Sequence, residues 1–384
     1  MKKVVVTLFS LLLVCQVLLH FTALPEALPP HSTTHALLQT GELGVASEKF
    51  QLRDPSRRID DIDIPGQTLP RQFEAKLWYP KSLPDRPMPL ILYSHGLMGS
   101  YSQSAHYAEH FASHGYLFAA PDFPLTNFRN GERANAVDVI NQPGDISFLL
   151  DTLLRRNSDP DDSLYQRIDS DKVVAMGLSL GGMTTHMLAY DPQRADARID
   201  IAVAIAAPSQ MFSKKFFSTR DLPYLAIASP GDALIAYRDN ALPMLSKARN
   251  ASLVTIAGGS HVGYTHSARW LRWMDNPDAM ACDPIKENLQ NTEAAQDEWF
   301  SLLGSIEEGY IVESGGDVCH GELPTTMNPI RQSDFAIAAS WSFLQCQFSD
   351  QSATVCDDFR YRLAEENAAV SVQSNVIQPR WSSR

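Results

Sequence analysis

Apolar positions along the chain fall into short runs, and the stretches between several of them repeat with helical spacing. The runs lie around Phe73 to Tyr79, Pro89 to Tyr93, Tyr116 to Ala120, Val173 to Met176, Ile199 to Ala206, Tyr224 to Ala228 and Leu253 to Ala257. Most are rich in β-branched and aromatic residues and nearly free of charge, which is how strands buried on both faces of a parallel sheet read. Helical patterns between them cover Tyr107 to Ser113, Asp145 to Arg156 and Met183 to Tyr190. This alternation predicts an α/β architecture, a mainly parallel sheet flanked by helices. In such sheets ligands bind outside the carboxyl ends of the strands, so chemistry is expected just past each run.

The two ends of the chain read differently. Met1-Lys2-Lys3 precedes a mostly apolar run from Val4 to Leu19. A positive start, a short apolar core and no positive flank beyond it predict a secretory signal peptide over residues 1–23; the alternative is an uncleaved membrane anchor. Val14 stands where a lipid-attachment site at Cys15 would need a small residue. Residues 24–40, with Pro25, Pro29 and Pro30, read as a poorly ordered leader. The domain is expected over 41–350, its last helix running from Arg331 to Leu344 with Phe335, Ile337, Trp341 and Leu344 on one face. Residues 266–326 then form an insertion, in which Trp299, Leu302, Leu303 and Ile306 recur at helical spacing. That apolar face either packs on the domain or caps a pocket. Residues 351–384 are polar and are expected as a C-terminal tail.

Charge and cysteine content narrow the class. The chain has 44 acidic and 32 basic residues, a net charge of -12; loss of Lys2 and Lys3 with the signal leaves 30 basic residues and -14. So acidic a protein is ill suited to nucleic acid or to anionic membrane surfaces. Apart from Cys15 the cysteines are Cys282, Cys319, Cys346 and Cys356, an even number in the last third of the chain, as in exported proteins with disulfides. Three pairings are possible; Cys282 with Cys319 and Cys346 with Cys356 are preferred, because each closes a local loop. No Cys-x-x-Cys pair favours a metal instead. A periplasmic or extracellular location follows from the signal and the cysteines together.

The most informative stretch is Val173-Val174-Ala175-Met176-Gly177-Leu178-Ser179-Leu180-Gly181-Gly182. A strand running into Gly-x-Ser-x-Gly and then a helix is the sequence form of a nucleophile elbow, with Ser179 as nucleophile and Gly177 and Gly181 where side chains would collide. Gly-x-Ser-x-Gly alone arises by chance in roughly one chain in ten of this length, so its context carries the weight. Earlier, Ser94-His95-Gly96-Leu97-Met98-Gly99 follows a central strand. Acyl transfer needs two donors for the developing oxyanion, and the N–H groups of Leu97, behind Gly96, and Leu180 are the candidates. His95 reads as structural. Past the later strands, Ser229-Pro230-Gly231-Asp232 offers an acid, or an ordinary turn residue, and Gly258-Gly259-Ser260-His261 offers a histidine. Asp221 and Asp239 are the reserve acids and His266 the reserve histidine.

Other patterns have two uses each. His106-Tyr107-Ala108-Glu109-His110 fits a zinc-peptidase pattern, yet outer-face polar residues are ordinary on a helix following such a loop, so no metal is expected. Asn157 to Ser163 is acidic but lacks the glycine and final glutamate of a calcium loop. Phe212, Lys214, Lys215, Phe216 and Phe217 either line a mouth for hydrophobic substrate, touch lipid, or pack under a cap.

With these strings in view a family resemblance emerges. Thr40 to Val45, Asp54-Pro55-Ser56-Arg57, Leu77-Trp78-Tyr79-Pro80, Tyr93-Ser94-His95-Gly96-Leu97, Ser113-His114-Gly115-Tyr116, Ala119 to Asn127 and Asn141-Gln142-Pro143-Gly144-Asp145 resemble the predicted dienelactone hydrolases. These are grouped with platelet-activating-factor acetylhydrolase-like esterases of the α/β-hydrolase superfamily. The resemblance spans residues 40 to 265 and implies an α/β-hydrolase fold and a cofactor-free carboxylic ester hydrolase. It also implies a Ser179, Asp232, His261 triad acting on a small or lipid-like ester. A lipase, phospholipase or peptidase on the same fold would share the triad, whereas a non-catalytic binding protein would be expected to lack part of it. Dienelactone hydrolases proper use cysteine as nucleophile, so the name carries no substrate. Polyester-degrading cutinases are similar in elbow and His-Gly but tend to place a tryptophan where this chain has Ala207-Pro208-Ser209-Gln210-Met211.

Overall fold

The computed structural model describes residues 23–61, 64, 66–292, 302–311, 318–319, 323–349 and 352–375. The expected signal segment up to residue 22 and Trp299 lie outside the described residues. The strands are β1 (Val45–Asp60), β2 (Thr68–Pro80), β3 (Met88–Ser94), β4 (Leu117–Pro121), β5 (Ile168–Leu178), β6 (Ile201–Ile205), β7 (Tyr224–Ala228), β8 (Ala251–Ile256) and β9 (Val370–Ser374). They form one sheet in the order β1-β2-β4-β3-β5-β6-β7-β8-β9. From β4 to β8 the neighbours pair in parallel, and antiparallel β1, β2 and β9 flank this centre. Every residue of β3, β4, β6 and β7 is buried, because helices cover both faces.

The helices that matter here are α1 (Thr33–Leu37), α2 (Ala105–Ser113), α3 (Gln142–Ser158), α4 (Leu180–Tyr190), α5 (Ala279–Thr292) and α6 (Pro329–Phe348). α2 and α6 pack on one face of the sheet, around Tyr93, Phe118 and Phe343. α3 covers Leu92, Ala119 and Ala175, and α4 packs with Ala204 and Leu253, on the other. The register that aligns Ser94 of β3 with Gly177 of β5 brings the two strand ends level. Ser179 and the His95-Gly96 turn therefore emerge side by side.

All seven apolar runs are strands, and the four expected helices form with slightly wider bounds. Other expectations meet a different structure. The stretch set apart as a tail contains β9, whose Val370 and Val372 pair with Ile256 and Val254. The leader contains α1: the Thr33 and Thr34 N–H groups donate to the Glu366 carboxylate at 2.9 and 3.0 Å, and Asn367 Nδ2 donates to Thr34 Oγ1 at 2.7 Å. In the insertion, Leu303 is buried beside Tyr310, but Leu302 and Ile306 are 45% and 71% exposed, so these positions do not share one buried face. The chain between them is not a regular helix: Ser305 caps a new short turn over Ile306–Glu308. The structure pairs Cys282 with Cys319 and Cys346 with Cys356. None of the described helices is long and apolar enough to cross a membrane.

Candidate active site

Ser179 sits at φ 56°, ψ -123° between β5 and α4, a backbone conformation that a side chain tolerates only when its surroundings enforce it. Here the Ser179 N–H donates to Ile205 O at 2.9 Å, tying the turn to the end of β6. Glycine is required on both sides: a Cβ on Gly177 would stand 2.1 Å from Gly181 O, and one on Gly181 2.0 Å from Ser94 O. A Cβ on Gly96 would meet Ser179 Cβ at 3.2 Å, so the His-Gly turn lies directly against the serine.

That turn is held from several sides. His95 accepts the Phe123 N–H at Nε2 (3.0 Å) and donates from Nδ1 to Gly96 O (2.8 Å), and burial pushes its pKa down to about 4. It is a neutral structural histidine. Gln103 Oε1 accepts the Gly96 N–H (2.9 Å), Met98 N–H donates to Thr126 O (2.7 Å) and Gly99 N–H to Gly96 O (2.9 Å). Between these occupied donors the Leu97 N–H has no acceptor among the described residues. The Leu180 N–H, first in α4, has none either, as expected for a helix N-terminus.

After β7, Asp232 uses its two carboxylate oxygens for two tasks. Oδ1 accepts the Leu234 and Ile235 N–H groups, each at 2.8 Å, which is the turn role. Oδ2 accepts from His261 Nδ1 at 2.8 Å, which fixes the tautomer and leaves Nε2 unprotonated. Burial opposes charge on His261, but the Asp232 charge and hydrogen bond, with a further contribution from Asp278, outweigh it and raise the pKa. Gln332 of α6 grips the histidine loop, accepting the Ser260 N–H (2.9 Å) and donating to Ser260 O (2.6 Å).

Two residues at this site left no mark in the sequence reading, Gln332 and Asp278. Asp278 is fully buried and accepts the N–H groups of Ala233, His261 and Val262 at 3.1, 2.9 and 2.7 Å. An Asn-Pro-Asp string before a helix was the only available signal, and it reads as an ordinary cap.

The reserve residues lie elsewhere. Asp221 and Asp239 are exposed, and the His266 ring faces His106, 5.5 Å between centroids. His106 and His110 are buried on α2, where desolvation pushes the His110 pKa down to about 3. No group of three or more His, Cys, Asp or Glu among the described residues is arranged to hold a metal ion. Phe212, Phe216 and Phe217 are fully buried, with Phe212 stacked on Phe216 at 4.2 Å and both against Tyr310, so the aromatic part of that cluster is core. Lys214 and Lys215 alone stay on the surface.

Strand order, a strained serine elbow after β5 and a bonded acid–histidine pair after β7 and β8 define an α/β-hydrolase. More narrowly, a family model described as PET hydrolase-like matches residues 73–297, more than half of the chain, and the chain belongs to that family of ester hydrolases. The family lies within the superfamily expected from the sequence strings. No curated protein matches the chain.

Proposed function

We propose that the protein is an exported serine hydrolase that cleaves carboxylic esters through an acyl-enzyme. The observation that carries this reading is the 2.8 Å bond from His261 Nδ1 to Asp232 Oδ2, formed past the carboxyl ends of the same parallel strands as the Ser179 elbow. His261 Nε2 takes the proton of Ser179 Oγ as that oxygen attacks the ester carbonyl. The oxyanion is held by the N–H groups of Leu97 and Leu180. The imidazolium, stabilised by Asp232, then protonates the leaving alcohol. A water deprotonated by His261 releases the acid and restores Ser179. No cofactor enters this cycle, and small or lipid-like esters suit it. Export is supported by the disulfides and by the amino-terminal pattern of Lys2, Lys3 and the apolar run behind them.

The test is hydrolysis of p-nitrophenyl esters from acetate to palmitate, with a polyester film included because of the family's description, by wild type and Ser179→Ala. Fluorophosphonate labelling runs in parallel. Turnover is expected to fall on the order of a millionfold in Ser179→Ala, with labelling abolished. A folded wild type that neither turns over any ester nor takes the label would overturn the reading and favour a binding protein.

A further inference from the structure

We propose that Asp278, at the start of α5, is a positioning residue that fastens the acid loop to the histidine loop and adds a second negative charge beside His261; the proposal rests on the esterase reading above. An aspartate entering a helix ordinarily turns its carboxylate onto the free N–H groups of its own first turn. This one does not. The Ala281 and Cys282 N–H groups reach the Asp278 carbonyl at 2.9 and 3.0 Å, while the carboxylate points across to other loops. Oδ2 accepts both His261 N–H (2.9 Å) and Ala233 N–H (3.1 Å), and Oδ1 accepts Val262 N–H (2.7 Å). One side chain thus binds the residue after Asp232, His261 itself and the residue after it. Among the described residues, the other side-chain tie between these two loops outside the Asp232–His261 pair is neutral, from Ser229 Oγ to Gly259 O.

Asp278 is itself anchored. Its N–H donates to Asn276 Oδ1 (2.9 Å), and Asn276 Nδ2 donates to Pro324 O (2.8 Å). One turn on, Cys282 is bonded to Cys319, whose N–H donates to Ala233 O at 2.8 Å. Lys286 Nζ reaches Cys319 O at 3.0 Å. The start of α5 and Cys319, both in the insertion after the histidine, therefore clamp the acid loop to the histidine loop, with Leu234 and Ile235 packed against the disulfide.

The charge matters as well as the geometry. A buried carboxylate is costly unless its lone pairs are filled, and here neutral N–H groups fill them while no cation side chain among the described residues is bonded to it. Burial raises the Asp278 pKa against the pull of His261 and of these N–H groups; above that pKa an uncompensated charge lies beside a ring that becomes cationic when Ser179 attacks. The charged groups acting on His261 are Asp232 after β7 and Asp278 at α5; the buried Tyr264 of its own loop has its pKa driven up by desolvation and then by Asp232, and adds no charge there. The α6 residue there, Gln332, is neutral. Removing the Asp278 charge destabilises the imidazolium and lowers its pKa.

The experiment compares wild type with Asp278→Asn, a near-isostere that keeps one acceptor oxygen. Three quantities are read: kcat and KM on a p-nitrophenyl ester, the acid limb of the pH–rate profile, and the His261 ring titration by NMR of histidine-labelled protein. Expected are a kcat loss on the order of a hundredfold with little change in KM, and acid limb and ring titration both displaced to lower pH. A variant that merely melts earlier, with titration and limb unmoved, overturns the proposal. The titration needs no turnover, so it judges Asp278 even if no ester is cleaved, whereas fluorophosphonate labelling of wild type judges the esterase reading separately. If Asp278→Asn does not fold, hydrogen exchange in wild type decides. Slow exchange at Ala233, His261 and Val262 supports the proposal, and exchange as fast as at exposed loop amides overturns it.

Discussion

If the site works as proposed, protonation of one ring sets its working range. In the proposed mechanism His261 accepts a proton from Ser179 only while neutral, so rate is expected to be lost as pH falls through its pKa. Burial alone would move that loss to low pH; Asp232 and, more weakly, Asp278 outweigh burial and move it upward. Asp232→Asn removes the largest opposing charge and lets the amide favour the wrong tautomer. We predict a kcat loss of about 10⁴-fold, and an acid limb displaced to lower pH in whatever activity remains, measured on the same ester across the acid range. The placement of Ser179, Asp232 and His261 just past strand ends was legible in the sequence because each of those strands declares itself by apolar residues. Asp278 was not, because its partners are backbone N–H groups of other loops, 16 to 45 residues away, and those donors are the same whatever residues carry them.

Individual elements are positioned by contacts with no slack. At the crossing of β5, α4 and β3, Gly177 and Gly181 let the elbow touch backbone at distances no Cβ survives. Gly177→Ala should therefore cost about 3 kcal/mol or more, seen as a lowered denaturation midpoint or an insoluble product. Arg71 of β2 works differently. Almost wholly buried, it donates to Asp138 at 2.9 and 2.7 Å and, with both Nε and Nη2 at 2.6 Å, to Asp145 of α3, which also receives Arg57. Replacing it with methionine takes the bonded cation from buried Asp138 and leaves buried Asp145 with Arg57 alone, and a loss of about 3–5 kcal/mol is expected by urea denaturation. The strands of the sheet centre were readable because burial on both faces demands unbroken apolar runs. β1 escaped notice because its charged residues alternate at an exposed edge, and β9 because five residues with two valines resemble any polar tail.

Across the whole molecule, the two disulfides fasten regions with different consequences. Cys346 and Cys356 join the end of α6 to the helical turns that lead into β9, beside the segment where Glu366 and Asn367 hold α1. Cys346 is 14 residues along α6 from Gln332, the contact with the histidine loop, or roughly 20 Å of helix. Cys282 and Cys319 instead lie against the acid loop. The chain-entropy model assigns roughly 3 kcal/mol to the ten-residue separation and roughly 4 kcal/mol to the separation of 37. Serine pairs at either position should therefore lower the midpoint of unfolding by similar amounts. Kinetics should separate them: with Cys346 and Cys356 replaced, kcat at a temperature well below the transition stays at the wild-type value. With Cys282 and Cys319 replaced, kcat falls, because Ala233 and the start of α5 lose their shared anchor. Equal kcat losses in both would mean that the fold transmits strain from its far end to the acid–histidine pair. No loss in either would mean that hydrogen bonds alone hold the clamp.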